Sequence, residues 1–186
     1  STWEGGQRVC CVARWPGKIP AGSECDTLVS TIDILPTFAD LAGTTPPQDR
    51  IIDGHNITDV LFDAAKESPH ESFFYYFRGE LNAVRHDRWK LFVKRRNKVL
   101  DPVELYDLST DIGEKENVAE AHPEVVSKLQ DYIRSAQQDL GDGTAIPGEN
   151  CRPAGHVKDA RPLTRNPADT LLQTDVFVAG QEGYHT

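Results

Sequence analysis

Apolar and polar positions alternate in blocks that name their own elements. Residues 9–15 carry apolar side chains on both parities and stop at Pro16-Gly17, the pattern of a strand buried on both faces. Residues 18–24 read as a loop. Leu28, Ile32, Leu35, Ala39 and Ala42 then recur at steps of three and four, and Ile34, Phe38 and Leu41 widen the stripe, which predicts a helix with a broad apolar face. Ser30 and Asp33 supply an S-x-x-D cap, Pro36 falls near the first turn, and Gly43 is a natural stop. A loop over 44–56 and a short helix over 58–65 follow.

Beyond it the period changes. Phe73-Phe74-Tyr75-Tyr76-Phe77 has strong strand preference. Residues 81–86 and 89–93 read as two strands joined by a tight turn at Asp87, and 104–108 as a fourth. Four short strands close in sequence predict an antiparallel sheet. Pro123 sits at a helix's first position, and Val125, Val126, Leu129, Tyr132, Ile133, Ala136 and Leu140 keep a 3.6 period up to Gly141. This helix, apolar on one face, is expected to lie across the sheet. The class is α/β with an α+β character: 1–65 as the end of a larger α/β domain, 66–141 as a small antiparallel sheet with a packed helix, and 142–186 as an irregular tail with one more strand at 171–178.

Composition narrows the function. The chain of 186 residues has a net charge of −9, which repels phosphate backbones and excludes general nucleic-acid binding. No run of about 18 apolar residues is present, so no membrane span is expected. The local exception to the acidity is Lys94-Arg95-Arg96-Asn97-Lys98, either a solvated hairpin tip or a contact for an anionic substrate. The six histidines show no metal-ligand spacing. Cys10, Cys11, Cys25 and Cys151 allow three full pairings, among which the sequence does not choose. Asn56-Ile57-Thr58 is a glycosylation acceptor pattern, making Asn56 a candidate modification site. At the start, Gly5-Gly6 implies a sharp bend or a close approach. Glu4 and Arg8 flank the pair, read as an ion pair or hydrogen bonds that hold the loop, or as pocket residues.

Several motifs resemble the sulfatase family of sulfate-ester hydrolases, arylsulfatase-like members of the alkaline phosphatase superfamily. The opening WEGGQRVCCVARWPGKIPAG is similar to the family's E-G-G-x-R-V-P…R-W-P-G-K-I-P-A-G segment. Residues 30–43, STIDILPTFADLAG, resemble its S-x-I-D-L-L-P-T-x-x-x-L-A-G helix. Asp53-Gly54, Ala83-Val84-Arg85 with Trp89-Lys90-Leu91, and Glu104-Leu105-Tyr106-Asp107-Leu108 with Gly113-Glu114 and Asn117 follow in the family's order. Cys10 and Ile112 stand where prolines are usual. The resemblance runs from Trp3 to about Leu140 and implies the C-terminal portion of a sulfuric ester hydrolase.

What the resemblance implies about chemistry is mostly an expectation of absence. The family uses a formylglycine made from cysteine in C-x-P-x-R and a calcium ion on Asp and Asn oxygens, and a catalytic lysine precedes the E-G-G motif. Cys10 and Cys11 lack the proline two places on, and Cys151-Arg152-Pro153-Ala154-Gly155 has glycine where arginine is needed. No catalytic residue and no metal ligand is therefore expected in this chain. Calcium and formylglycine are expected in the full-length enzyme, on an upstream part of the same sulfatase. The candidate contacts with a sulfate-ester substrate are Trp3, Arg85 and His86. A secreted, periplasmic or lysosomal setting is implied. Two alternatives stay open: a non-catalytic module binding sulfated glycans through residues 94–98 and Arg85, and a phosphatase or phosphonate hydrolase relative.

Overall fold

The computed structural model describes residues 1–95 and 98–155. They form one unit, Ser1–Gly155. The strand expected at 171–178 lies outside the described residues.

The sheet is built as its hydrophobic periodicity predicts. Strands β1 (Phe73–Phe77), β2 (Glu80–His86), β3 (Trp89–Arg95) and β4 (Lys98–Asp107) form an antiparallel meander in the order β1-β2-β3-β4. Arg78 and Gly79 connect the first pair, both at positive φ (52° and 80°), the two-residue turn whose twist matches its strands. Asp87, at φ 53°, opens the next turn. Strand β4 starts six residues before the predicted 104–108. Its early half is mostly exposed, but Val99 and Lys98 still pair with Lys94 and Arg95, and Pro102 falls inside a register shift where its missing N–H is tolerated.

Helix α4 (Pro123–Asp139) covers one face. Its Leu129, Ile133 and Ala136 pack on Leu81, Val84, Leu91 and Leu105, a single core of fully or nearly fully buried side chains. The chain after α4 is irregular but pinned. Asp142 accepts hydrogen bonds from the Leu81 N–H (2.8 Å), Lys94 Nζ (2.9 Å) and Gln137 Nε2 (2.8 Å), and Arg152 donates its backbone N–H to the Asp139 carbonyl (2.8 Å).

The first 65 residues are less regular. Residues 4–7 make the short helix α1 (Glu4–Gln7). The stretch 9–15, predicted as a doubly buried strand, has no regular secondary structure, and Val9 and Val12 are open to solvent (75% and 94%). A strand of that composition needs neighbours on both edges, and the four-stranded sheet leaves none beside it. Helix α2 (Ile34–Leu41) follows a 3₁₀ turn, Thr31–Asp33. Asp33 reaches back to accept from the Ser30 N–H (2.7 Å), as the S-x-x-D pattern requires. Gly43 (φ 70°) donates to Asp40 and Thr44 to Ala39, the double bond of a Schellman stop. The predicted apolar stripe is present, yet Ile34, Leu35 and Phe38 are exposed. The short helix predicted at 58–65 is α3 (Thr58–Phe62), with Val60 inward.

Asp33 ties this region together. Fully buried, it accepts from the His55 N–H (2.8 Å) and from His70 Nε2 (2.9 Å), linking α2, the loop before α3 and the segment before β1. The Asp53-Gly54 pair serves the same junction. A methyl added at Gly54 would lie 2.0 Å from the Ile32 carbonyl oxygen. We expect Gly54→Ala to cost at least about 1–3 kcal/mol, because backbone cannot yield as a side chain does. Gly5→Ala is the control: nothing lies within 4 Å of the added methyl, and alanine in a helix is neutral or favourable. Paired denaturant midpoints check the difference.

Candidate substrate-binding face of the sheet

The sheet's second face, away from α4, is polar at its centre. Strand alternation turns Leu91 toward α4 and Lys90 and Phe92 away from it. Lys90 is completely buried. A buried ammonium is tolerated only with partners, and this one has three: Glu4 Oε1 at 2.7 Å, Glu114 Oε1 at 2.9 Å and the Thr2 carbonyl at 2.8 Å. It also sits 4.0 Å from the centre of the Tyr75 ring and 5.0 Å from that of Phe92.

The carboxylates are held in turn. The Glu4 N–H donates to Glu114 Oε2 (2.7 Å) and the Tyr75 hydroxyl to Glu4 Oε1 (3.1 Å), while Arg85 Nη1 lies 3.9 Å from Glu4 Oε2. Glu114 is at φ 52°, a left-handed position within the turn after β4. Burial pushes the Tyr75 phenol up, and the Glu4 charge adds to the effect. Residues 2–4 are thus fastened to the middle of the sheet. Glu4 and Arg8 do not pair as side chains; Arg8 binds Asp26 at the surface (2.8 Å), and its N–H donates to the Glu4 carbonyl (2.7 Å). Gly6, not Gly5, is the glycine closely approached: an added methyl would meet Ser1 Cβ at 2.8 Å.

Beside this cluster a cleft of about 620 Å³ opens, bordered by Trp3, Phe77, Asn82, Arg95, Lys98 and Leu100. Trp3 is wedged between the Arg95 guanidinium (4.4 Å) and the rings of Phe92 (4.8 Å) and Tyr106 (5.9 Å). Arg85 lies on the same sheet face but is spent on Glu4 and on the Asp87 carbonyl (3.0 Å). His86 is on the opposite face. Its Nδ1–H donates to the Glu71 carbonyl (2.7 Å), its Nε2 accepts from Lys128 (2.9 Å), and its ring stacks on Tyr132. Of the three expected substrate contacts, Trp3 alone borders the cleft. Asn82, Lys90 and Glu114 were not singled out, whereas Arg95 was, within the basic stretch 94–98. The signal for Lys90 was available: a lysine inside the apolar run Trp89-Lys90-Leu91-Phe92-Val93 must be paired or misplaced.

The basic stretch is largely neutralised. Lys94 pairs with Glu80 and with Asp142, and Arg95 with Glu104; Arg96 and Asn97 lie outside the described residues. All four cysteines are free thiols. Asn56 is exposed, and its Oδ1 accepts from the Thr58 N–H (2.9 Å) and hydroxyl (2.6 Å). Among the described residues no helix is long and apolar enough to cross a membrane, and no group of three or more His, Cys, Asp or Glu side chains is placed to hold a metal.

A family model described as N-sulphoglucosamine sulphohydrolase, C-terminal, matches residues 2–139. The chain belongs to the sulfatase family. Among similar proteins, an arylsulfatase of Hemicentrotus pulcherrimus is 48% identical over 89 residues, covering 48% of this chain and 16% of its own. The human steryl-sulfatase is 45% identical over 98 residues, 50% of this chain and 17% of its own. A solved Bacteroides thetaiotaomicron protein, described in connection with metabolism of multiple glycosaminoglycans, superposes with a TM-score of 0.53 at 29% identity over 67% of this chain and 28% of that one. The chain thus spans about a sixth of the length of the first two relatives, and what it matches is the sulfatase C-terminal domain with its antiparallel sheet.

Two outcomes follow from the geometry. Lys90→Met strips the cation from two buried carboxylates and should cost about 3–5 kcal/mol in denaturant unfolding, while Arg8→Met, at an exposed pair, costs under about 1 kcal/mol. The Asp142 anchor is pH-dependent. Burial works to raise its carboxyl, but the hydrogen bonds from Lys94, Gln137 and the Leu81 N–H overturn that and leave it below its ordinary value of 3.8. A lowered carboxyl contributes stability that is complete above pH 3.8 and lost as pH falls through the folded value. Thermal midpoints recorded below pH 5 should therefore fall less steeply in Asp142→Asn than in the parent.

Proposed function

We propose that the chain is the C-terminal portion of a sulfuric ester hydrolase and that it shapes the substrate pocket while the reacting groups lie on the preceding part of the same polypeptide. The observation that carries this reading is the match over residues 2–139 together with the apolar surface laid bare on that stretch: Val9, Val12, Ile34, Leu35 and Phe38 have the spacing of buried elements and are exposed. An apolar surface of that kind calls for a covering partner. A larger sulfatase domain is the partner that fits, with residues 9–15 as a strand of its parallel sheet. On this view residues 1–65 complete that domain, 66–141 form the small C-terminal domain, and 142–186 are its tail.

Calcium and formylglycine belong, in this proposal, to the preceding part; no step is assigned to them here. What this chain supplies is position. The Lys90–Glu4–Glu114 cluster fixes residues 2–4, the segment that in the family follows the catalytic lysine by a few residues. A rigid support of this kind acts through orientation of a reacting group. A secreted, periplasmic or lysosomal setting and a glycan at the exposed Asn56 complete the proposal.

The glycan-module alternative is disfavoured by the pairing of Lys94 and Arg95. The phosphatase alternative is separated by the assay. The full-length polypeptide should release sulfate from 4-nitrophenyl sulfate, with the isolated chain inactive and Lys90→Met lowering the rate of the full-length protein. Release of phosphate from 4-nitrophenyl phosphate at a higher kcat/KM than sulfate from its sulfate ester would overturn the assignment.

A further inference from the structure

Helix α2 has two sides with different surroundings. Ile34, Leu35 and Phe38 are exposed, the apolar stripe that calls for a covering domain. Thr37 is buried and holds the loop before α3: its Oγ1 accepts from the Ile57 N–H (3.0 Å), while Asp33 accepts from the His55 N–H (2.8 Å). Successive residues of an α-helix turn by about 100°, so Phe38 lies about 100° and Leu35 about 160° round the axis from Thr37. Residues 55–57 therefore sit on the side of α2 turned away from the stripe. A domain can cover the stripe without reaching them.

That loop carries Asn56-Ile57-Thr58, the acceptor pattern for N-linked glycans, with a residue other than proline in the middle. Ile57 is buried and Asn56 exposed, so the loop shows its acceptor outward. The Asn56 carboxamide is held in one orientation. Its Oδ1 accepts from both the N–H (2.9 Å) and the hydroxyl (2.6 Å) of Thr58, and its Nδ2 donates to nothing among the described residues. The nitrogen that forms the bond to a glycan is thus free, and replacing one of its hydrogens breaks no contact of the fold. A glycan is bulky and needs open surface, which this position provides.

We propose that Asn56 carries an N-linked oligosaccharide, and that this glycan marks the face of residues 1–65 that stays in water when the preceding sulfatase domain covers the α2 stripe. The second half rests on the sulfatase reading above; the first requires only passage through a compartment where such glycans are made. The donor is an oligosaccharide on a lipid pyrophosphate. Nδ2 attacks the anomeric carbon of its first sugar, and the bond from that carbon to the pyrophosphate oxygen breaks. The lipid pyrophosphate leaves with the electron pair, and Nδ2 gives one proton to a base of the transferase.

The test expresses the full-length polypeptide from its own coding sequence in a eukaryotic cell, with no added leader. By mass spectrometry, the peptide spanning Asn56 should carry a glycan mass that an amide-cleaving glycosidase removes. Asn56→Gln keeps an amide but destroys the acceptor pattern and should abolish that signal, as should Thr58→Ala. Thr58→Ser retains the hydroxyl and should preserve it. A parent whose Asn56 peptide is unmodified overturns the site. The face is read on folded protein: the same glycosidase, without denaturant, should strip the Asn56 glycan as completely as it does after unfolding. Removal only after unfolding overturns the assignment of the face. If the parent is glycosylated at Asn56 but releases no sulfate from any ester, the sulfatase reading fails and the modification site stands.

Discussion

One buried ammonium organises the unit. Lys90 lies at the centre of a sheet, wholly buried, and its three oxygen partners come from distant places in the chain: Thr2 and Glu4 near the start, Glu114 in the turn after β4. Removing a cation from water is expensive, so none of these contacts can be given up singly. The consequence is geometric. The segment 2–4 has no strand to pair with, yet it is held as firmly as a strand would be, by charge and by the Glu4 N–H bond to Glu114. Trp3 then follows into place between Arg95, Phe92 and Tyr106.

The two faces of the sheet have different jobs for this reason. The α4 face is an ordinary apolar core, with Leu, Val and Ile side chains meeting Leu129 and Ile133. Any similar set of apolar residues could serve there. The other face carries directional contacts between ionised groups, which specify one arrangement and resist sliding. Such a face suits the support of a reacting segment, where a small displacement is costly.

Legibility in the sequence followed the range of the forces involved. The meander and α4 were readable because their signals are local: alternation, a 3.6 period, Pro123 at a first position and Gly141 at an end. The S-x-x-D cap and the Gly43 stop were readable for the same reason. Strand β4 was underestimated because its first half joins by pairing with β3 rather than by its own side chains. The strand expected at 9–15 failed in the opposite way: the side chains are right, and the neighbours are absent from the sheet. The charged cluster was invisible for a third reason. Glu4, Lys90 and Glu114 are separated by more than twenty residues at the least, and no periodicity links them. What could be read was weaker, a lysine embedded in an apolar strand. Arg85 and His86 illustrate the cost of naming adjacent strand residues together, since the pleat sends them to opposite faces.

The exposed stripe and the buried cluster belong to one design. Residues 9–15 and α2 present apolar surface outward, while residues 2–4, immediately before them, are locked inward. The chain passes from the sheet's charged face into that apolar surface through the short helix α1 and Arg8. If the small domain were only a passenger, an apolar contact would suffice to hold it, because hydrophobic area is non-directional and forgiving. Three oxygens on one ammonium are neither. Their directionality suits a face that must hold the segment 2–4 in one register against the sheet. Read this way, the sulfatase C-terminal domain is a rigid jig. Its core could be repacked at modest cost, but its charged face fixes the segment it holds.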